Sequence, residues 1–133
     1  MLSDCNIFEI KSFFDNRGGL SFLQEGQGIP FPIERIYYLY DTKIKHIRGI
    51  HAHKKLEQII FAASGRFEIK LDDGKSSKII TLDKPNLGLY VCPMIWREVT
   101  PLEDNGVCMV IASRKYEKDD YIYDYKEYLS LIS

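Results

Sequence analysis

All three histidines of the chain, His46, His51 and His53, lie within or just before one stretch, Arg48–Gln58, which reads RGIHAHKKLEQ. Between Asp41 and Glu57 there is no carboxylate, but there are five cations: Lys43, Lys45, Arg48, Lys54 and Lys55. On a strand, the spacing of two between His51 and His53 turns both imidazoles to the same face. Histidine titrates near neutrality, and a modest change of environment poises it as a general base. A neighbouring cation favours the neutral imidazole, the form a base needs. Two such rings beside concentrated positive charge point to proton chemistry on an anionic small molecule.

These residues need a frame, and the rest of the chain reads as strands. Asn6–Phe14 is a first strand, ended by the turn Asp15–Gly19, and Leu20–Gln24 a second. Glu25–Pro32, with two glycines and two prolines, is a loop. Glu34–Asp41 (ERIYYLYD) is a tyrosine-rich strand preceding the histidines. Leu56–Ala63 and Arg66–Leu71 follow, joined at Ser64-Gly65, and Asp72-Asp73-Gly74 signals a hairpin into Ser77–Leu82. Leu87–Cys92, Arg97–Pro101 and Gly106–Ser113 continue the series. Short strands at regular spacing favour an antiparallel sandwich or barrel. The tail Tyr123–Ile132 sets Tyr125, Leu129 and Ile132 at helical spacing, which predicts one short C-terminal helix.

The bulk properties narrow the function. A chain of 133 residues, 45% hydrophobic and 28% charged, is expected to form one domain spanning 1–133 with a real core. Its net charge of −1 gives no case for nucleic acid. The cysteines Cys5, Cys92 and Cys108 are odd in number and lack CxxC spacing, which argues for reduced thiols and a cytoplasmic home. Cys92 and Cys108 sit in apolar runs and read as small core residues. Asp4 and Glu9 interrupt the block a signal peptide would need, and the longest apolar run, Val107–Ala112, is too short to span a bilayer.

Metal chemistry is the competing use of the histidines. His51-x-His53-x-x-x-Glu57, followed by Gly65, looks like the first motif of the cupin superfamily, many of whose members hold a divalent metal through such a set plus a third histidine on a later strand. Here that strand offers Pro93-Met94-Ile95-Trp96-Arg97-Glu98, the expected position falls on or near Glu98, and no histidine follows His53. Ligand type and local charge disfavour a divalent ion, so no metal is expected, and proton chemistry by itself needs no redox cofactor. Among the remaining residues, a phenol from Tyr37, Tyr38 or Tyr40 can serve a developing oxyanion. Alternation puts Tyr38 and Tyr40 on one face and Tyr37 on the other, without saying which face is inside. Arg17, Arg48 and Arg97 have the guanidinium geometry that suits phosphate oxygens. Trp96, the only tryptophan, can stack on a base or sugar or fill the core.

Arg48-Gly49-Ile50-His51-Ala52-His53-Lys54, followed by Gln58, closely resembles the nucleotide-sugar 3,4-ketoisomerases, small cupins acting on dTDP-4-keto-6-deoxyglucose. The resemblance covers nearly the whole chain. It includes Asp15-x-Arg17-Gly18-x-Leu20, Glu34-Arg35-Ile36-Tyr37-Tyr38, Pro93-x-x-Trp96-x-Glu98 and the ending Tyr116-x-x-x-Asp120-Tyr121-Ile122-x-Asp124-Tyr125. It implies an all-β, cupin-like jelly roll with a short C-terminal helix, a homodimer, no metal, and catalysis by the histidine pair with a nearby tyrosine. It also implies cytoplasmic supply of deoxysugars for surface polysaccharides or S-layer glycans, with a dTDP-linked keto-deoxysugar as partner and neither nucleic acid nor membrane.

On that resemblance His51 and His53 are the expected acid–base pair and Tyr37 the assisting donor. Arg17, Arg48 and Arg97 are expected to contact diphosphate or sugar, and Trp96 to line the pocket. The ketone at carbon 4 acidifies the hydrogen on carbon 3; a base removes it, an enediol forms, and a proton returns at carbon 4. Because His53 abuts Lys54-Lys55, its side is expected to face the anionic part of the substrate, which leaves His51 over the sugar as the base. Positions 17 and 97 vary in the family, so the face of carbon 4 that is protonated stays open. A 3,5-epimerase-like cupin, a metal-dependent cupin enzyme and a non-catalytic sugar-binding module are the alternatives.

Overall fold

The computed structural model describes residues 1–132; Ser133, the last residue of the expected domain, lies outside the described residues. In chain order the strands are β1 (Asn6–Glu9), β2 (Ser12–Asp15), β3 (Gly18–Ser21), β4 (Gln24–Glu25), β5 (Gly28–Ile29), β6 (Arg35–Leu39), β7 (Arg48–His53), β8 (Gln58–Ser64), β9 (Phe67–Asp72), β10 (Ser77–Leu82), β11 (Leu87–Val91), β12 (Trp96–Pro101), β13 (Val107–Ala112) and β14 (Tyr121–Ile122). Besides two single-turn 3-10 segments, Leu2–Asp4 and Lys118–Asp120, one α-helix, α1 (Tyr125–Ile132), closes the described chain.

Two five-stranded antiparallel sheets carry the fold, in the orders β1-β11-β8-β13-β6 and β10-β9-β12-β7-β14. The expected jelly-roll sandwich is therefore present. Its core is made by inward-facing residues of alternate strand positions: Ile60, Ala62, Phe67, Ile69, Leu71, Leu82, Leu89 and Cys108 are each at most 1% exposed. The hairpin at Asp72-Asp73-Gly74 forms as its residues predict, with Gly74 at φ +88° and its N–H donating to Asp72.

Two departures concern the N-terminal region. The expected strand over Asn6–Phe14 breaks at Ile10-Lys11: β1 joins the first sheet, whereas β2 pairs with β3 as a separate two-stranded arm. Phe13, Phe14 and Leu20 on that arm are exposed. Within the expected loop, β4 and β5 form a two-residue parallel ladder. The expected strand Leu20–Gln24 is instead β3, which begins at Gly18 inside the expected turn, and β14 is not among the expected strands. From β6 to β13 the expected boundaries fall within two residues of those observed, and Ser77–Leu82 coincides with β10.

Of the residues its spacing singled out, Leu129 and Ile132 pack half-buried against the cluster under α1, but the residue the helix buries fully is another. Tyr128 is fully buried, whereas Tyr125 remains exposed. The Tyr128 hydroxyl lies against the carbonyls of Met94 and Asp72, at 2.9 and 3.0 Å, and this fixes α1 against the loop before β12. No helix of the described residues is long and apolar enough to cross a membrane.

Candidate active site

A cavity of about 510 Å³ opens between the two sheets. Arg35, Tyr37 and Leu39 of β6 line it, with Arg48 to His51 of β7, Arg97 and Val99 of β12, Cys108 and Val110 of β13, and Tyr121 and Tyr123 from the tail.

The geometry of β7 depends on Gly49. Arg97 pairs with His51, but Val99 pairs with Arg48, so β7 carries one extra residue against β12. Gly49 sits in that bulge at φ +64°, a conformation open to glycine and costly for other L-residues. The bulge lets Arg48, Gly49, Ile50 and His51 all reach the cavity wall.

His51 and His53 share a face as their spacing predicts, with ring centroids 4.7 Å apart and planes nearly perpendicular. They do not share access. His51 lines the cavity; His53, only 4% exposed, lies behind it, and its buried Nε2 has no partner. The Tyr121 ring covers both, at 5.1 Å from His51 and 4.5 Å from His53. Asp120 positions that ring. Its carboxylate accepts from the N–H groups of Lys55 and Leu56, and its carbonyl accepts from Lys54 N–H, which holds β14 beside the end of β7.

Arg97 is the centre of the polar network. It is 2% exposed, and its Nη2 lies 3.1 Å from His51 Nε2 and 2.7 Å from the Tyr37 hydroxyl. Guanidinium has donors only, so His51 Nε2 accepts and the imidazole proton sits on Nδ1. Tyr37 accepts from Arg97 and also from Gln58 Nε2 at 3.3 Å. Two donors thus point at the phenol oxygen, so its own O–H is not spent on either of them, and Gln58 Oε1 is buried without a partner. The Nε and Nη1 of Arg97, and the Nε of Arg35, are buried without partners. Such groups are costly unless a ligand satisfies them.

Burial, with Arg97 second, pushes His51 down to about 3. The same two causes, with His51 third, push His53 down to about 2. Both rings are neutral at physiological pH, as a base requires.

Tyr37 answers the question alternation left open: it faces the cavity, while Tyr38 and Tyr40 are exposed. The positive charge of the cavity comes from Arg35, Arg48 and Arg97, and not from Lys54 and Lys55, which are exposed and off its wall. His46 is likewise off the wall. Trp96 does not line the cavity as expected. Strand alternation turns it away from Arg97, into a separate cluster with Ala52, Ile122 and Tyr128. Arg17 sits at the tip of the β2–β3 arm, paired with Asp15 and outside the cavity.

Three polar cavity residues lie outside the expected site set: Arg35, Tyr121 and Tyr123. Arg35 donates to the Tyr121 hydroxyl at 3.0 Å and lies over the rings of Tyr37 and Tyr116. The motif stretches that contain Arg35 and Tyr121, and the tyrosine density of the tail, are the signals in the sequence, but the β14–β7 pairing that brings the tail over the histidines is long-range.

Among the described residues no three His, Cys, Asp or Glu side chains converge as a metal site. Glu57, the carboxylate of the HxH-type motif, accepts from the Tyr90 hydroxyl at 2.6 Å, and Tyr90 is not on the cavity wall. Beside His51 stands the Arg97 guanidinium, a cation that cannot ligate.

Comparison with known proteins bears on what the cavity does. The family model described as FdtA (WxcM-like, C-terminal) matches residues 3–133. A TDP-4-oxo-6-deoxy-alpha-D-glucose-3,4-oxoisomerase of Aneurinibacillus thermoaerophilus is 43% identical over 130 residues, covering 96% of this chain and 94% of that protein. The crystal structure of a 3,4-ketoisomerase from Helicobacter canadensis superposes with a TM-score of 0.94 at 43% identity, covering 97% of each chain. A sugar 3,4-ketoisomerase from Thermoanaerobacterium thermosaccharolyticum, solved in complex with TDP, gives a TM-score of 0.94 at 35% identity, over 99% of this chain and 96% of that one.

Proposed function

The chain belongs to the FdtA family, and on that footing we propose that it is an isomerase, a sugar 3,4-ketoisomerase that converts TDP-4-keto-6-deoxyglucose to the 3-keto sugar through an enediol. The observation that carries the mechanism is the chain His51–Arg97–Tyr37 on the cavity wall. A neutral imidazole, a guanidinium with spare N–H groups and a phenol with an unspent proton supply a base and donors to the enediolate oxygen.

His51, the histidine on the cavity wall, takes the proton from carbon 3. Its Nε2 accepts from Arg97, so the substrate must draw that guanidinium away before Nε2 can act. An oxygen of the sugar, charged in the enediolate, is the natural competitor for Arg97. Removing the cation from the imidazole, and bringing a diphosphate near it, both raise the proton affinity of His51 as the reaction needs it. Tyr37 donates its free O–H to the oxygen that becomes negative. His53, behind His51 and under Tyr121, assists the return of a proton toward carbon 4.

Arg48 at the cavity mouth and Arg35 within it carry positive charge for the diphosphate. A homodimer is part of this reading. Phe13, Phe14 and Leu20 on the arm, and Ile7, Ile36 and Tyr38 elsewhere, are large exposed hydrophobics that a second copy would cover. Arg17, at the tip of the same arm, contributes to anion binding only through such an assembly. The reaction belongs to deoxysugar biosynthesis, and a cytoplasmic location fits nucleotide-sugar chemistry and the three free cysteines.

Proton NMR of the product tests the reading. A 3-keto product supports it. A 4-keto product inverted at carbon 3 or carbon 5 would instead support the epimerase reading.

A further inference from the structure

Cys5 and Cys92 form a site that the isomerisation does not use. Cys5 immediately precedes β1, and Cys92 immediately follows β11. These strands are antiparallel neighbours, with Asn6 opposite Tyr90, so the end of the ladder brings the two cysteines together. Their sulfurs are 3.7 Å apart, in direct contact. Cys5 is 2% exposed, whereas Cys92, expected in the core, is only half-buried and open to solvent. Neither lines the catalytic cavity.

We propose that Cys5 and Cys92 are a redox-active dithiol that a hydroperoxide oxidises to an intramolecular disulfide. The exposed Cys92 sulfur, as thiolate, attacks one oxygen of the peroxide; the O–O bond breaks, hydroxide leaves and takes a proton, and Cys92 becomes a sulfenic acid. The Cys5 sulfur then attacks the Cys92 sulfur, the S–OH bond breaks, and the departing hydroxide takes the Cys5 proton. Two thiols and one hydrogen peroxide give one disulfide and two waters, the two electrons passing from sulfur to oxygen.

The division of roles follows the environment. The hydrogen bond with Cys5, against the opposing effect of burial, pushes Cys92 down to about 6. Cys5 is pushed up, first by the same contact and then by burial. One thiol therefore ionises at the expense of the other, and it is the accessible one. Closure to a bond of about 2.0 Å needs a short rotation of Cys92, which lies just past the end of its strand. Cys108 is the internal contrast: it is fully buried on β13, and burial pushes its thiol up to about 12.

The experiment treats the reduced, native chain with a small excess of hydrogen peroxide. It then combines intact mass, maleimide counting of thiols after denaturation, and peptide mapping. The proposal expects a loss of about 2 Da, two of the three thiols protected, a Cys5–Cys92 linked peptide, and full reversal by dithiothreitol. Cys108→Ser should form the same bridge. Cys5→Ser should leave Cys92 as a sulfenic acid that dimedone captures. The proposal is overturned if the wild type gains oxygen without a bridge, if the bridge involves Cys108 or joins two chains, or if nothing reacts under conditions that oxidise free cysteine.

Discussion

Lowering the pH from 7 to 5 should destabilise the protein chiefly through His51 and His53. Each is neutral in the folded state, held near 3 and near 2 mainly by burial and secondly by Arg97. An unfolded chain restores each to an ordinary value of about 6.5. Above that value neither state binds the proton and the two histidines contribute no pH dependence. Below it the unfolded state takes up protons that the folded state refuses, so stability falls with pH until the folded values are reached. Over pH 7 to 5 the linkage relation gives about 2 kcal/mol per histidine, or about 4 kcal/mol for the pair. The two rings are 8% and 4% exposed, so solvent screening takes little from this figure. The assay is urea denaturation at both pH values for the wild type and for His51→Asn/His53→Asn, at one protein concentration because an oligomer would otherwise shift the midpoint. Asp15, held low by Arg17, and Asp73, held low by backbone N–H groups of Ser76 and Lys75, titrate below this window. Cys92 titrates inside the window, but it is common to both proteins and cancels in the difference. The wild type should lose about 4 kcal/mol more than the variant. Equal losses would refute the reasoning, since the histidines would then be free to charge in the folded state.

Two further substitutions separate the cavity from its support. Tyr37→Phe removes the free phenolic donor and should lower kcat by about 10²-fold or more while leaving TDP affinity nearly unchanged. It should also cost about 1–3 kcal/mol of stability, read by the same denaturation assay, because Arg97 Nη2 and Gln58 Nε2 lose an acceptor. Trp96→Ala empties the cluster under α1 and should cost about 3–5 kcal/mol in denaturation. At temperatures where that variant is folded, its KM should stay close to wild type, and a large rise in KM would return Trp96 to the substrate pocket.

Local signals made the strands, their turns and the shared face of the histidines readable. A sequence such as Asp72-Asp73-Gly74 specifies its turn without help from the rest of the chain, and a spacing of two fixes relative facing. What alternation does not give is which face meets which core. Trp96 and Arg97 are adjacent, and hydropathy would send the indole inward and the guanidinium out. Both are in fact buried, at 5% and 2% exposed, one against the helix and one between the sheets. Similarly, parity separates Tyr37 from Tyr38, but only the pairing of β6 beside β13 decides that Tyr37 points inward. The roles of Arg35, Tyr121 and Tyr123 depend on contacts between segments more than 60 residues apart, such as that between Arg35 and Tyr121 at a separation of 86. Charge density along the chain pointed to the lysines flanking the histidines, whereas the charge that faces the cavity is carried by arginines on three different strands.

The central claim is that His51 moves the proton between carbons 3 and 4. Incubation with TDP-4-keto-6-deoxyglucose in D₂O, followed by NMR, tests it most directly when run on the wild type, His51→Asn and His53→Asn. The account predicts a 3-keto product with deuterium at carbon 4 from the wild type, and loss of carbon 3 exchange in His51→Asn with TDP binding retained. If His51→Asn still exchanges the carbon 3 proton at near wild-type rate while His53→Asn does not, the buried histidine is the base and the account is contradicted.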